Sequence, residues 1–180
     1  MAAIASWQQR ELSGRGRIVS PSNLHVTLAF LGARPAGELP AIAAALRIAA
    51  ADAGEPRLRL RGYRETRSVG MLTFDDEEGR AVSLAERLHG RLEELGVYRR
   101  EARPWLPHVT VLRFRERPRL DPPLPALAEV SPSDAAVYSS VLRSGGAQYE
   151  ALEVVPLGQS SVGPPLSAAP GKGEVDEGGS

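Results

Sequence analysis

The sequence repeats one short pattern in which a histidine and a threonine alternate with aliphatic residues. The first copy is Leu24-His25-Val26-Thr27-Leu28, and the second is Pro107-His108-Val109-Thr110-Val111. Because successive side chains of a strand point to opposite faces, each copy would place an imidazole and a hydroxyl on one face and aliphatic anchors on the other. The repeat therefore predicts two strands, one from each half of the fold, that face each other across a cleft. Two imidazoles titrating near neutral pH suit acid–base chemistry on a phosphate ester.

The repetition is what favours catalysis over a structural role. A single histidine is more often a hydrogen-bonded structural residue, and a single threonine is an ordinary strand residue. The third of the three histidines, His89, lies at the edge of an apolar helical stripe and is interpreted as a boundary residue. It shares no motif with the other two, and no clustered carboxylates accompany them, so no metal site is predicted.

Hydrophobic periodicity, glycines and prolines divide the rest of the chain into short elements. Helices are predicted over residues 2–12, 38–52 and 80–95. Residues 118–132 are proline-rich and are predicted to be irregular, with one helical turn at 124–128. Strands are predicted over residues 18–19, 24–31, 57–61, 68–74, 108–114, 135–143 and 149–157, the last two joined as a hairpin through Ser144-Gly145-Gly146.

Many short strands and few helices favour an α+β fold with antiparallel sheets. The two motif histidines are 83 positions apart in the sequence, about half of the predicted ordered chain. Two similar lobes, each with one motif strand, are the economical arrangement. We expect one bilobal domain over residues 1–158 and a disordered tail over 159–180, where glycine, proline, serine and alanine dominate.

Composition excludes several classes of protein and site. The formal net charge is zero, so no general positive field argues for nucleic acid, although 21 of the 22 basic residues are arginine and only Lys172 is lysine. Cysteine is absent, which excludes disulfides and a thiol nucleophile. No apolar run approaches the roughly 20 residues of a membrane span, and no signal peptide is recognised. A cytoplasmic protein without a membrane partner is expected.

The paired motifs, their spacing and the context of residues 21–32, Pro-Ser-Asn-Leu-His-Val-Thr-Leu-Ala-Phe-Leu-Gly, resemble the 2H phosphoesterase superfamily. The resemblance covers residues from about 5 to 158. Within the superfamily, the sequence is most similar to the RNA 2′,3′-cyclic phosphodiesterases, also described as 2′-5′ RNA ligases. It implies two pseudo-symmetric lobes, each an antiparallel sheet with outer helices, around a central cleft. It also implies a reaction that needs no metal. A monomer without a cofactor is expected.

The resemblance implies hydrolysis of an RNA or nucleoside 2′,3′-cyclic phosphate to the 2′-phosphomonoester. His25 would donate a proton to the leaving 3′ oxygen, and His108 would accept one from the attacking water. Thr27, Thr110 and Arg113 would hold the phosphate oxygens. Strict alternation places Arg113 on the face opposite His108 and Thr110, so it reaches the cleft only if the strand bulges or ends near residue 112.

Three further expectations concern the surroundings of the site. Family members usually open with a hydrophobic strand before the first helix, and this strand is missing from the sequence, which would leave an open sheet edge. Trp105 and Phe30 are candidates for stacking on a base. Of these two, Trp105 is expected at the surface, and Phe30, which shares a face with Val26, is expected in the core.

Two other functions stay open from the sequence. One is a different 2H phosphoesterase activity, on ADP-ribose cyclic phosphate or on 2′-5′ oligonucleotides. The other is a non-catalytic RNA-binding module that keeps the grip on phosphate. Inefficient 2′-5′ RNA ligation at the same site is a further expectation.

Overall fold

A computed structural model of the chain describes residues 2–143 and 146–158. The predicted α+β fold with antiparallel sheets and outer helices is confirmed. The helices are α1 (Ala2–Glu11), α2 (Leu39–Ala51) and α3 (Arg80–Glu94), and short 3₁₀ turns lie at Pro21–Asn23 and Ala36–Glu38. The strands are β1 (Arg17–Ile18), β2 (Arg59–Glu65), β3 (Val69–Asp75), β4 (His108–Arg113), β5 (Asp134–Arg143) and β6 (Gly146–Pro156).

The first lobe is a four-stranded antiparallel sheet with α1 packed on one face. Its strand order is β1-β4-β3-β2. Apolar side chains alternate along these strands, so one face of the sheet is buried against the helix. The shared core comprises Ile4, Trp7, Leu12, Leu24, Leu58, Leu72, Phe74, Ala81, Val109, Val111 and Leu112.

The second lobe is the hairpin β5–β6, which is covered on one face by α2 and α3. Ala135 and Leu157 are buried against these helices, and Val137 and Val155 pack beside them. An ion pair between Arg47 of α2 and Glu153 of β6 closes the edge of this layer. The opposite face of the hairpin carries Tyr138 and Tyr149. Tyr138 alternates with Ala135 and Val137, and a bulge in β6 between Glu153 and Ala151 brings Tyr149 to the same face.

The strand predicted over residues 24–31 is wrong as a regular strand. Its only sheet pairing within the described residues is one antiparallel bridge, from Val26 to Val109. The reason is that the segment crosses between the two cores: Leu24 is buried in the first, whereas Leu28 and Leu31 pack against the second. A backbone that leaves one sheet for the other lobe cannot continue a ladder, so its carbonyls are paired by side chains instead.

Most other differences are shifts of element boundaries. β2 begins at Arg59 and continues to Glu65, because a bulge between Leu60 and Gly62 lets the pairing with β3 run on. Residues 118–132 are irregular, as predicted, but no helical turn forms at 124–128. The hairpin is confirmed from its two strands. Its predicted turn residues Ser144 and Gly145, and the predicted tail 159–180, lie outside the described residues. Within the described ranges, no helix combines the length and apolarity needed to cross a membrane.

A buried carboxylate holds the irregular connection after β4 onto the sheet. The Glu65 side chain is 2% exposed and accepts hydrogen bonds from Arg117 Nε at 3.1 Å, the Arg119 and Leu120 N–H groups at 2.9 Å, and the Tyr63 hydroxyl at 3.2 Å. Burial by itself raises the pKa of Glu65, but these hydrogen bonds outweigh it, and the pKa lies below its usual value.

Replacement of this carboxylate should destabilise the fold. Glu65→Gln is expected to lower the free energy of unfolding at pH 7 by about 1–3 kcal/mol, since buried donors lose a charged acceptor. A lowered folded pKa gives stability that is present above the unfolded pKa and is lost as pH falls through the folded value. Urea unfolding should therefore show a smaller difference between variant and wild type near pH 3 than at pH 7.

A matched control is Glu129→Gln, which removes an exposed ion pair with Arg57, at 3.9 Å. Exposed pairs contribute little, so this variant should lose less than about 0.5 kcal/mol. An equal loss for Glu65→Gln at both pH values would contradict the role assigned to the carboxylate.

Candidate active site

The second motif lies on β4, an inner strand of the four-stranded sheet. Val109 is buried in the core against α1, whereas His108 and Thr110 are half-buried on the opposite face. Thr73 of β3 lies directly opposite His108. Because directly paired residues share a face, its hydroxyl is on the same side as the imidazole. The predicted separation of polar and aliphatic residues on this strand is present.

A β-bulge in β4 decides the direction of Arg113. The pairing with β3 passes from Thr110 to Leu112, so Val111 has no partner residue there. Val111 and Leu112 are both 0% exposed. The additional buried residue shifts the alternation by one position. Arg113 therefore lies on the face of His108 and Thr110. The sequence predicted that Arg113 could reach the cleft only through such a bulge.

The first helix and the edge strand support this bulge. The Val111 carbonyl accepts two hydrogen bonds, from the Val19 N–H at 3.1 Å and from Gln8 Nε2 at 2.8 Å. Gln8 is 0% exposed and also donates to the Val19 carbonyl at 3.0 Å. A Cβ on Gly16 would lie 2.6 Å from the Arg113 carbonyl oxygen, so only glycine lets the edge strand approach there. The bulge is held from two sides.

The first motif lies beside the second on the same sheet, and not across a cleft from it. The antiparallel bridge pairs the central valines, Val26 and Val109. The histidine of each motif is therefore next to the threonine of the other, and both valines point into the first core. Four half-buried side chains share the other face: His25, Thr27, His108 and Thr110.

Both histidines are oriented by the same contact. His25 Nδ1 donates to the Asn23 carbonyl at 2.8 Å, and His108 Nδ1 donates to the Leu106 carbonyl at 2.8 Å. A carbonyl oxygen can only accept, so Nδ1 carries a proton in each neutral ring. Nε2 of each ring is then the nitrogen that can exchange a proton with a substrate. Each ring therefore presents Nε2 to the same face, where one ring can donate a proton and the other can accept one.

The charge on His25 is disfavoured in the ligand-free protein. Burial lowers the pKa of His25, and the nearby charges of Arg113 and His108 lower it further, whereas the hydrogen bond to Asn23 opposes the shift. These interactions place Arg113 and His108 within electrostatic range of the ring. An anion bound among the three groups would reverse the effect and raise the pKa of His25.

Two tyrosines from the hairpin approach His25. Its ring centroid lies 5.0 Å from that of Tyr149, at an interplanar angle of 70°, and 6.4 Å from that of Tyr138, at 32°. The two tyrosine rings are themselves 6.1 Å apart and nearly perpendicular. The polar face of the sheet and the open face of the hairpin thus border one cleft, with His25 between them.

The two stacking candidates have exchanged their predicted environments. Phe30 is 79% exposed and lines the cleft, although alternation predicts it in the core. Trp105 is half-buried and donates Nε1–H to the Thr27 carbonyl at 3.0 Å, although it is predicted at the surface. The prediction for Phe30 is wrong because the backbone bends after Thr27, so alternation no longer applies there. The prediction for Trp105 rested on its place before Leu106-Pro107, and it is wrong because the indole packs against the first core and bonds to Thr27.

His89 is also not the boundary residue that its stripe predicts. It is 4% exposed, packs on Tyr98 at 4.8 Å, and donates from Nε2 to the Leu28 carbonyl at 2.8 Å. The bond supplies a donor to a carbonyl that lacks a strand partner. His89 therefore holds the segment that follows the first motif, and it has no place beside the other two histidines.

Residues 2–143 and 146–158 contain no cluster of three or more histidine, cysteine, aspartate or glutamate side chains arranged to hold a metal ion. The five predicted site residues lie on one face of the first sheet. Their imidazoles, hydroxyls and guanidinium can accept and donate protons and bind an anion.

Comparisons with known proteins agree with this arrangement. Residues 2–143 match the model of the 2′-5′ RNA ligase superfamily. The chain belongs to the 2′-5′ RNA ligase superfamily. It is 35% identical to the RNA 2′,3′-cyclic phosphodiesterase of Thermus thermophilus over 164 residues, which are 84% of this chain and 81% of that protein. The resemblance to the 2H phosphoesterases is thereby confirmed.

Solved structures of the superfamily have the same fold. The Thermus thermophilus protein TT0787 superposes with a TM-score of 0.74 at 32% identity, over 87% of this chain and 90% of that chain. Escherichia coli LigT, crystallised with NADP+, superposes with a TM-score of 0.72 at 27% identity, over 88% and 90%.

The sequence did not indicate several residues that surround the two motifs. Gln8 gave no signal because a glutamine on a short helix is ordinary. Tyr138 and Tyr149 are distant from both motifs in sequence, and only the fold brings them to His25. Arg17 is paired with Arg113 in the sheet and so shares its face. Alternation along β5 separates Tyr138 from Ala135 and Val137, but the bulge in β6 that brings Tyr149 to the same face has no local signal.

Proposed function

We propose that this protein is a cyclic phosphodiesterase that opens the 2′,3′-cyclic phosphate of an RNA end or nucleotide to the 2′-phosphomonoester. The observation that carries the proposal is the pair of imidazoles anchored alike through Nδ1, on one face with two threonine hydroxyls and Arg113. The similarity to the Thermus thermophilus phosphodiesterase supports the same reaction class.

The reaction needs a base for water and an acid for the leaving oxygen. In the proposed mechanism, His108 Nε2 takes a proton from water while the water oxygen bonds to phosphorus. The bond from phosphorus to the 3′ oxygen breaks, and that oxygen takes the proton of His25 Nε2. The products are a 2′-phosphate and a free 3′ hydroxyl, and the two imidazoles have exchanged protonation states.

The remaining side chains stabilise the phosphate. Thr27 and Thr110 donate hydrogen bonds to its non-bridging oxygens, and Arg113 neutralises the charge that develops there. The bound phosphate also raises the pKa of His25. The substrate thereby favours the protonated imidazole, which the 3′ oxygen needs in order to leave. If a 5′ hydroxyl attacks in place of water, the same geometry yields a 2′-5′ linkage.

The test mixes the purified full chain with 2′,3′-cyclic AMP in excess EDTA and identifies the product. We expect nucleoside 2′-monophosphate, formed at a rate that the chelator does not change. The 3′-monophosphate would contradict the assignment of the leaving oxygen, and loss of turnover in EDTA would contradict a mechanism that uses the two imidazoles alone.

The same assay separates the alternatives. Turnover of ADP-ribose cyclic phosphate or of 2′-5′ oligoadenylate in preference to the cyclic nucleotide would indicate another activity of the superfamily. Tight RNA binding without turnover of any of these would indicate a non-catalytic module. A monomeric state and a cytoplasmic location stay predictions, which sedimentation and cell fractionation would test.

A further inference from the structure

The segment that carries the first motif has little support from the sheet. Within the described residues, its only sheet pairing is the bridge from Val26 to Val109. The chain then crosses to the second core, so no ladder continues past Thr27. The Thr27 carbonyl instead accepts a hydrogen bond of 3.0 Å from Nε1–H of Trp105, which lies 78 positions away in the sequence. A side chain thus provides the donor that a neighbouring strand usually provides.

Trp105 belongs to a short segment that leads into the second motif, and this segment is itself firmly held. The carbonyl of the next residue, Leu106, accepts the hydrogen bond from His108 Nδ1 at 2.8 Å. Pro107 is buried, and its carbonyl accepts the Phe74 N–H of β3 at 3.0 Å. The proline ring also fixes one backbone torsion angle. The segment therefore contacts both motifs, since it orients His108 directly and reaches the first motif through the indole.

The indole is suited to this contact because its only polar group is a donor. Its side chain has two torsion angles, so little conformational freedom is lost when the ring is packed. Trp105 is half-buried and packs against the first core. Because its N–H is directed to the Thr27 carbonyl, the effect of this bond on the reaction passes through the first motif.

We propose that Trp105 is a positioning residue that sets the register of the first motif against the second, so that Nε2 of His25 and Nε2 of His108 reach the same phosphate. The inference rests on the proposed function, because that function needs both imidazoles at one substrate. Thr110 and Arg113 lie on β4 with His108, so their positions do not depend on the indole. Loss of the bond should displace the acid and leave most of the contacts to phosphate intact.

The kinetic test compares two substrates of Trp105→Phe that differ in their need for an acid. For 2′,3′-cyclic AMP, kcat should fall about 10- to 100-fold with little change in KM, because a misplacement of about 1 Å can cost 10²-fold. For an aryl ester of a ribonucleoside 2′-phosphate, whose phenolate leaves without a proton, kcat should stay close to that of wild type. An equal loss with both substrates would show that the indole only supports the fold. A raised KM with unchanged kcat would assign it to substrate binding, and either result would overturn the proposal.

A second variant removes the hydrogen bond and keeps the packing. β-(3-Benzothienyl)alanine incorporated at position 105 has the same bicyclic shape, with sulfur in place of N–H. It should fold as wild type does and show the same dependence on the substrate as Trp105→Phe, so it decides the question even if the phenylalanine variant unfolds. Wild-type kcat for 2′,3′-cyclic AMP in this variant would refute the role of the bond.

Trp7→Phe is the matched control. Trp7 is 1% exposed in the same core, and its Nε1–H donates to the Pro123 carbonyl at 2.6 Å, so the same substitution removes a bond of the same kind. The control should also lower the thermal unfolding temperature, but kcat for 2′,3′-cyclic AMP should stay much nearer to the wild-type value than in Trp105→Phe. Equal losses of kcat in the two variants would contradict a specific role for Trp105.

The pKa of His25 gives a measurement that does not depend on turnover. The charged and titratable side chains around this ring come from β4 and the hairpin: Arg113, His108, Tyr138 and Tyr149. Burial and the two nearby charges of β4 lower the pKa of His25, so a first motif that is held less closely to β4 should have a pKa nearer its ordinary value. Titration of the imidazole protons by NMR should therefore show a higher His25 pKa in Trp105→Phe than in wild type or in Trp7→Phe.

The two proposals can fail separately. If wild type hydrolyses no cyclic nucleotide, the proposed function fails, and the pKa comparison alone decides whether Trp105 holds the first motif in place. If wild type is active and Trp105→Phe leaves both kcat and the His25 pKa unchanged, the proposed function stands and the positioning role is refuted.

Discussion

Alanine at either motif histidine is expected to lower kcat for 2′,3′-cyclic AMP by about 10²–10⁴-fold, the usual contribution of one proton transfer. His25→Ala removes the proposed acid, so the 3′ oxygen must leave as an alkoxide. His108→Ala removes the proposed base, so water must attack without losing its proton. Steady-state kinetics on the purified variants, with thermal unfolding to verify the fold, measures both effects.

The double variant sharpens this prediction. Residues that act as one catalytic unit are strongly non-additive, so His25→Ala with His108→Ala should lose little more than the worse single variant. Replacement of the third histidine provides the control: His89→Gln keeps a donor for the Leu28 carbonyl and should change kcat much less. A single motif variant that retained a third or more of wild-type kcat would refute acid–base catalysis by this pair.

The leaving group separates the two roles. An acid is needed only when the departing oxygen is basic, so a substrate with a good leaving group should restore much of the rate in the variant that lacks the acid. An aryl ester of a ribonucleoside 2′-phosphate is such a substrate, because its phenolate leaves without a proton. It should restore turnover by His25→Ala and not by His108→Ala. Rescue of His108→Ala alone would reverse the assignment that the resemblance implies.

The motif side chains could be predicted from the sequence because they depend on local rules. Repetition singled out His25 and His108, and alternation along β4 placed Thr110 with His108. Arg113 needed a bulge, which depends on contacts from α1 and β1 and leaves no local signal. The sequence placed residues 24–31 in a separate lobe as a full strand. It could not show that this segment pairs with β4 through a single bridge before it crosses to the second core.

The remaining differences have one physical origin. The segment after Thr27 has to reach the second core, so its backbone leaves the sheet and its carbonyls bond to Trp105 and His89. Sequence periodicity cannot show that change of direction, and it therefore predicted Phe30 in the core. The bond from Trp105 to the Thr27 carbonyl joins residues 78 positions apart, so the sequence could not show that Trp105 is half-buried. The tyrosines beside His25 come from β5 and β6, and only tertiary packing brings them to the motif.

Arg113→Gln is expected to lower kcat/KM by about 10²–10³-fold, a typical loss when one group that stabilises developing charge is removed. Glutamine is polar but shorter and has fewer donors, so the variant removes the charge together with the reach of the guanidinium. Arg115→Gln is the matched control, because Arg115 is exposed two positions further on, beyond the end of β4. An equal loss in the two variants would indicate a general effect of surface charge.

The pH dependence of the same variant tests its contact with His25. Arg113 lowers the pKa of His25, so Arg113→Gln should raise it and move one limb of a bell-shaped profile of kcat/KM to higher pH. If His25 is the acid, the basic limb moves, because the protonated ring persists to higher pH. If His25 is the base, the acidic limb moves, because the ring must first lose its proton. No movement of either limb would contradict the electrostatic contact.

The bulge connects this prediction to Gln8. Gln8→Met keeps the side-chain volume but removes both donated hydrogen bonds, so Val111 is held less firmly and Arg113 is aimed less accurately. We expect kcat/KM to fall about tenfold, which corresponds to roughly one buried hydrogen bond. The loss should nearly vanish when Arg113 is already glutamine, because the two residues then act through one interaction. Full additivity of the two losses would show that Gln8 supports the fold without directing Arg113.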